Sequence, residues 1–198
     1  AGTLTITGKG DGNLDVSKIT TTSALDVNIT DGATTLTGVT INVDASGSTS
    51  ALSMTTSELT NNITGGTASD TLTYTGTTGT YTGTLTSVEK FSTANTVTFT
   101  ASELNGKTID FAGAGNINVS GYTGAEVLTG ITSTGTGNLF LDITSSVTLG
   151  TLPADFNVNL AANNITLTAD ASNLNGLIVT DNGTNTTVQI NNLNDTPA

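Results

Sequence analysis

Residues 65–91, GGTASDTLTYTGTTGTYTGTLTSVEKF, set a pattern that the other segments vary. The stretch opens Gly-Gly-x-Ala-Ser-Asp-x-Leu, continues as Thr alternating with apolar residues, and closes on Val88-Glu89-Lys90-Phe91. Gly supplies turns that need positive φ, and the branched β-carbon of Thr suits a pleated strand. The stretch therefore reads as turn, strand, turn, strand.

Outward from it, short runs of period two recur at 3–7, 14–16, 25–29, 37–43, 52–54, 72–75, 84–88, 97–100, 109–112 and 117–120. They continue at 127–131, 139–143, 147–149, 158–161, 165–168, 177–180 and 188–190. Apolar residues at alternate positions put one face of a strand into a core and leave Thr, Asp or Asn on the other. Gly, Asn, Asp or Ser lies between most neighbours, as turns require. Such spacing fits a β-sandwich or a β-solenoid. Three segments overlay: LSMTTSEL (52–59), VTFTASEL (97–104) and ITLTADASNL (165–174), the last two continuing Asn-Gly. Two strand spacings make roughly twenty residues, a plausible solenoid coil. The expectation is an all-β, right-handed parallel β-solenoid of such coils over residues 1–198, with a sandwich of the immunoglobulin-like kind as the alternative. Single helical turns are expected at 56–60, 102–106 and 171–176. With 5 Phe, 3 Tyr and no Trp, the interior is expected to be thin and built from Leu, Ile, Val, Ala and Thr methyls.

The formal charge is −12, from 16 acidic and 4 basic residues. Such a surface repels phosphate backbones and anionic lipid, so neither nucleic acid nor a membrane surface is an expected partner. No apolar run is long enough to span a bilayer. His, Cys and Arg are absent, and the basic residues are Lys9, Lys18, Lys90 and Lys107. That removes the usual general base, the thiolate nucleophile and the bidentate anion clamp together, so the chain reads as no enzyme. Acidic residues beside turn glycines remain: Asp11, Asp31, Asp70 and Asp181. Hard cations such as calcium take carboxylate and carbonyl oxygens in tight turns, although Asp and Gly are also ordinary turn residues.

The nonapeptide Gly65-Gly66-Thr67-Ala68-Ser69-Asp70-Thr71-Leu72-Thr73 resembles the calcium-binding repeat Gly-Gly-x-Gly-x-Asp-x-(aliphatic)-x of RTX proteins, with Ala68 in place of a glycine. Residues 85–91 are similar to the strand-closing segments that follow such repeats, and the Thr, Asn and Gly background resembles bacterial S-layer proteins and RTX-like adhesins. The resemblance implies a secreted protein at the bacterial cell surface, a fragment of a longer chain. It implies a structural module that assembles with like subunits, with calcium as a stabiliser held through Asp70 and the other acidic turns. An alternative reading is an adhesin or ice-binding module. The Thr-x-Thr runs at 3–7, 71–75, 82–86, 96–100 and 166–168 would present a planar face if stacked in register, and a glycan is a further candidate ligand.

Overall fold

The alternation in the sequence becomes rungs. In the computed structural model, which describes residues 4–9, 12–20, 23–128 and 130–193, Leu25, Val27 and Ile29 of one strand are buried while Asp26 and Asn28 face outward. Each strand pairs in parallel with the strand one coil further on, so apolar residues stack on apolar residues. Leu36 lies against Met54, Met54 against Leu72, Leu72 against Phe91 and Phe91 against Ile109, all fully buried. Repetition of that step builds a parallel β-solenoid of about 9 turns. A sandwich would need antiparallel ladders. All the strand pairings among the described residues are parallel.

Four sheets form the walls. The first holds β1 (Leu4–Lys9), β3 (Leu25–Asp31), β5 (Val43–Asp44), β7 (Ile63–Thr64) and β10 (Leu85–Thr86). The second holds β2 (Gly12–Asp15), β4 (Thr34–Val39), β6 (Leu52–Thr56), β8 (Thr71–Tyr74), β11 (Lys90–Thr93), β13 (Thr108–Phe111) and β15 (Thr132–Gly135). The third begins with β9 (Gly79–Thr80) and continues through β12 (Val97–Thr100), β14 (Asn116–Ser120), β16 (Asn138–Ile143), β18 (Phe156–Leu160) and β20 (Ile178–Asp181). The fourth holds β17 (Val147–Leu149), β19 (Thr166–Asp170) and β21 (Thr187–Asn191). Side-chain bonds between coils span 17 residues at Thr56 and Val39 and 25 at Thr134 and Ile109, which brackets the expected coil length.

Several expectations are corrected by the packing. The interior is not free of aromatics: all three Tyr and four of the five Phe are buried. Phe99 of β12 stacks on Tyr81 at 5.2 Å and meets Phe91 of β11 edge-on at 4.8 Å. The run at 37–43 is not one strand: β4 ends at Val39 and β5 begins at Val43, and within β4 the register shifts between Leu36 and Val39, where Gly38 takes φ +70°. The run at 127–131 forms no strand among its described residues. Gly121, Gly124 and Gly130 all take positive φ around it, and Val127 is 59% exposed. Thr129 in that run, Thr3 and Asp11 lie outside the described residues.

Two of the three single-turn helices form, as α1 (Ala101–Leu104) and α2 (Ala171–Leu174). At 56–60 a bend forms instead. There the Thr56 hydroxyl donates to Val39 O at 2.7 Å and accepts from Glu58 N at 2.9 Å, so a side chain satisfies the corner that a helix would have turned. The overlaid segments place their strands β6, β12 and β19 in three different sheets. They are one local motif, a strand with a Ser- or Ala-led corner, used at different corners and not at equivalent positions of successive coils.

Candidate functional site

The Gly65–Gly66 turn is dictated by the neighbouring coils. A β-carbon on Gly65 would collide with Ser87 O and the Asp70 carboxylate, and one on Gly66 with Ser48 O. Into this tight corner the chain turns Asp70, which is completely buried. Its Oδ1 accepts from Leu52 N at 2.8 Å, in the preceding coil, and its Oδ2 accepts from Gly66 N at 2.6 Å, in its own turn.

The next coil repeats the device. Asp70 N donates to Glu89 Oε2 at 2.8 Å. Asp70, Glu89 and Lys107 each stand immediately before the paired residues Thr71, Lys90 and Thr108, so the three form a column along the coils. Lys107 closes it: its ammonium donates to Val88 O at 2.8 Å and Leu85 O at 3.3 Å, and Leu85 N in turn donates to Glu103 Oε2 at 2.9 Å. Burial pushes the Asp70 carboxyl above its ordinary range against the pull of its two backbone donors, and the Glu89 charge adds to the rise. Burial pulls Lys107 down, opposed by Glu103 and Glu89.

This arrangement can cap backbone groups, which are costly to leave unpaired in a dry corner. It does not fit the calcium that the nonapeptide implies. Calcium takes six to eight oxygens, whereas both Asp70 oxygens already face N–H donors. Asp31 stands exposed at the end of β3. Asp181 folds on its own turn, accepting from Gly183 N at 3.0 Å and Thr186 Oγ1 at 2.6 Å. The structure brings none of these three together, and no group of three or more His, Cys, Asp or Glu converges among the described residues.

The outer faces hold what the motif search missed. On the second sheet, Thr35, Ser53, Thr71, Lys90, Thr108 and Thr132 form one outward column, with Thr55, Thr73, Ser92, Asp110 and Thr134 beside it. Rungs are about 4.8 Å apart along such columns. The 3.0 Å ion pair of Lys90 with Asp110 interrupts the hydroxyls. The Thr-x-Thr runs do not stack on one face: Thr71 and Thr73 lie on this one, whereas Thr5, Thr98 and Thr168 belong to the first, third and fourth sheets. On the third sheet, Phe140 faces outward in a shallow trough of about 290 Å³. The alternation Leu139-Phe140-Leu141-Asp142-Ile143 carried that signal, since three fully buried aliphatics must put Phe140 and Asp142 outside.

No protein-family model, curated protein or solved structure matches the chain. No helix among the described residues is long and apolar enough to cross a membrane.

Proposed function

We propose that the chain is a structural module of a bacterial surface layer or surface stalk, a stiff β-solenoid wall that assembles with like modules. The observation that carries this reading is the continuous parallel pairing of the second sheet's seven strands, from Gly12 to Gly135, with one register shift at Leu36 to Val39 and a brace at its corner in the Asp70, Glu89 and Lys107 column. A body of that kind is long, directional and held by nearest-neighbour contacts, properties that suit a wall or spacer. The sequence agrees, being without His, Cys or Arg and acidic on balance. Calcium has no part in this reading at Asp70. Immunogold labelling of thin sections of cells of the source organism tests it: continuous decoration of the envelope is expected, and label confined to the cell interior would overturn it.

A second reading, an ice-binding face, has the paired hydroxyl columns of the second sheet in its favour. An ice recrystallisation assay decides it. Inhibition that Thr73→Lys abolishes is expected from that reading, and growth of ice grains as in buffer removes it.

A further inference from the structure

Of the eight aromatic side chains, Phe140 alone is not buried. The others fill the interior, so a phenyl ring left outside contributes little to the core and invites a different explanation. Its setting is specific. In register beside it, one rung away on either side, stand Asn118 and Asn157. The adjacent column carries Asp142, Asn159 and Thr180.

The polar groups there are already oriented. Asn182 Nδ2 donates to Asn159 Oδ1 at 2.7 Å, and Asn159 Nδ2 donates to Asp142 Oδ1 at 2.9 Å. This relay fixes the amide rotamers along one wall of the trough and leaves the Asn118 amide and the Thr180 hydroxyl without a protein partner among the described residues. An apolar ring with amides and a carboxylate held around it is the combination that recognises a ligand having one apolar face and many hydroxyls. Among the described residues no lysine lines the trough, so an anionic ligand meets Asp142 and no counter-charge.

We propose that this trough binds a neutral glycan chain, one pyranose ring stacking its C–H face on Phe140 while Asn118, Asp142 and Asn159 hydrogen-bond its hydroxyls. The chain lies along the solenoid axis. Rungs about 4.8 Å apart are close to the length of one sugar ring, so successive rings meet successive rungs. Thr98 and Ile178, further along the Phe140 column, extend the track in both directions.

The test is a titration of isotope-labelled protein with four neutral hexasaccharides, cellohexaose, maltohexaose, mannohexaose and chitohexaose, followed by amide chemical shifts. Saturable shifts in β14, β16 and β18, with β4, β6 and β8 unmoved, are expected from at least one sugar. Phe140→Ala should weaken that sugar roughly tenfold, Phe140→Tyr should retain it, and Asn159→Ala should cost about threefold. Circular dichroism and the unfolding midpoint report on folding of each variant, and Phe140→Tyr supplies the readout if Phe140→Ala unfolds. No saturable shift with any of the four sugars would overturn the proposal. So would shifts that map to another face, or affinity indifferent to Phe140.

Discussion

The middle of the solenoid and the last described coil, at β21, are written in the same residue pattern and have opposite environments. Around β8 to β13, Leu72, Phe91, Phe99 and Ile109 are fully buried, with a coil above and a coil below. In β21 the equivalent inward positions, Val188 and Ile190, are 41% and 42% exposed, although their partners Leu167 and Ala169 on β19 are fully buried. Burial in this fold is conferred by the neighbouring coil and is not a property of the strand. Stability is therefore expected to be graded along the axis.

The largest expected effect sharpens that contrast. Phe91→Ala removes a ring packed against Phe99 inside the stack and should cost about 3–5 kcal/mol in denaturant unfolding, whereas Val188→Ala should cost less than about 1 kcal/mol. Equal losses would break the comparison. Next comes the corner column. Asp70→Ala leaves the Leu52 and Gly66 N–H groups buried without acceptors, for an expected loss of about 2–4 kcal/mol. Unfolding the parent protein in calcium and in excess chelator should give the same midpoint if Asp70 is a corner cap, and a calcium-dependent rise would return it to the role its motif suggests.

Tyr81 gives a smaller effect with a pH signature. Its hydroxyl donates to Asn61 O at 2.5 Å, and burial first, then Glu103, pushes its pKa above the ordinary 10.0. A pKa raised by folding gives stability that is complete below the unfolded value and lost as pH rises toward the folded one. The loss thus falls above about pH 10. Tyr81→Phe should cost about 1 kcal/mol at neutral pH and flatten the alkaline decline of the midpoint. Smallest is Lys90→Ala, which breaks the partly exposed pair with Asp110 and should change stability by about 0.5 kcal/mol or less, diminishing further with salt.

The fold was legible because its rule is local. Period two in 25–29, 97–100 and 139–143 assigned inward and outward residues that the structure keeps. Register was less legible where a glycine torsion intervenes: at Gly38, inside β4, a positive φ accompanies a shift that puts Leu36 and Val39, three residues apart, on the same buried face. Similarity between segments misled on register: the same strand-and-corner motif serves β6, β12 and β19 in different sheets, because a corner needs a particular backbone path wherever it falls. At Asp70 the residue singled out by its motif does hold a special place, but what its oxygens meet is set by Leu52, eighteen positions away in sequence. No spacing rule within nine residues reveals a donor in the preceding coil. Phe140 was readable from its own strand, and only the pairing with Asn118 and Asn157 shows what surrounds it.

The parallel ladders have a mechanical consequence. Their interstrand bonds run along the direction in which coils stack, so tension applied along that axis loads the rungs as a zipper, one coil's bonds at a time. Each release pays out roughly twenty residues, or about 65–70 Å of extended chain. A single-molecule pulling trace should therefore show a staircase of near-equal steps, beginning at the outermost coil.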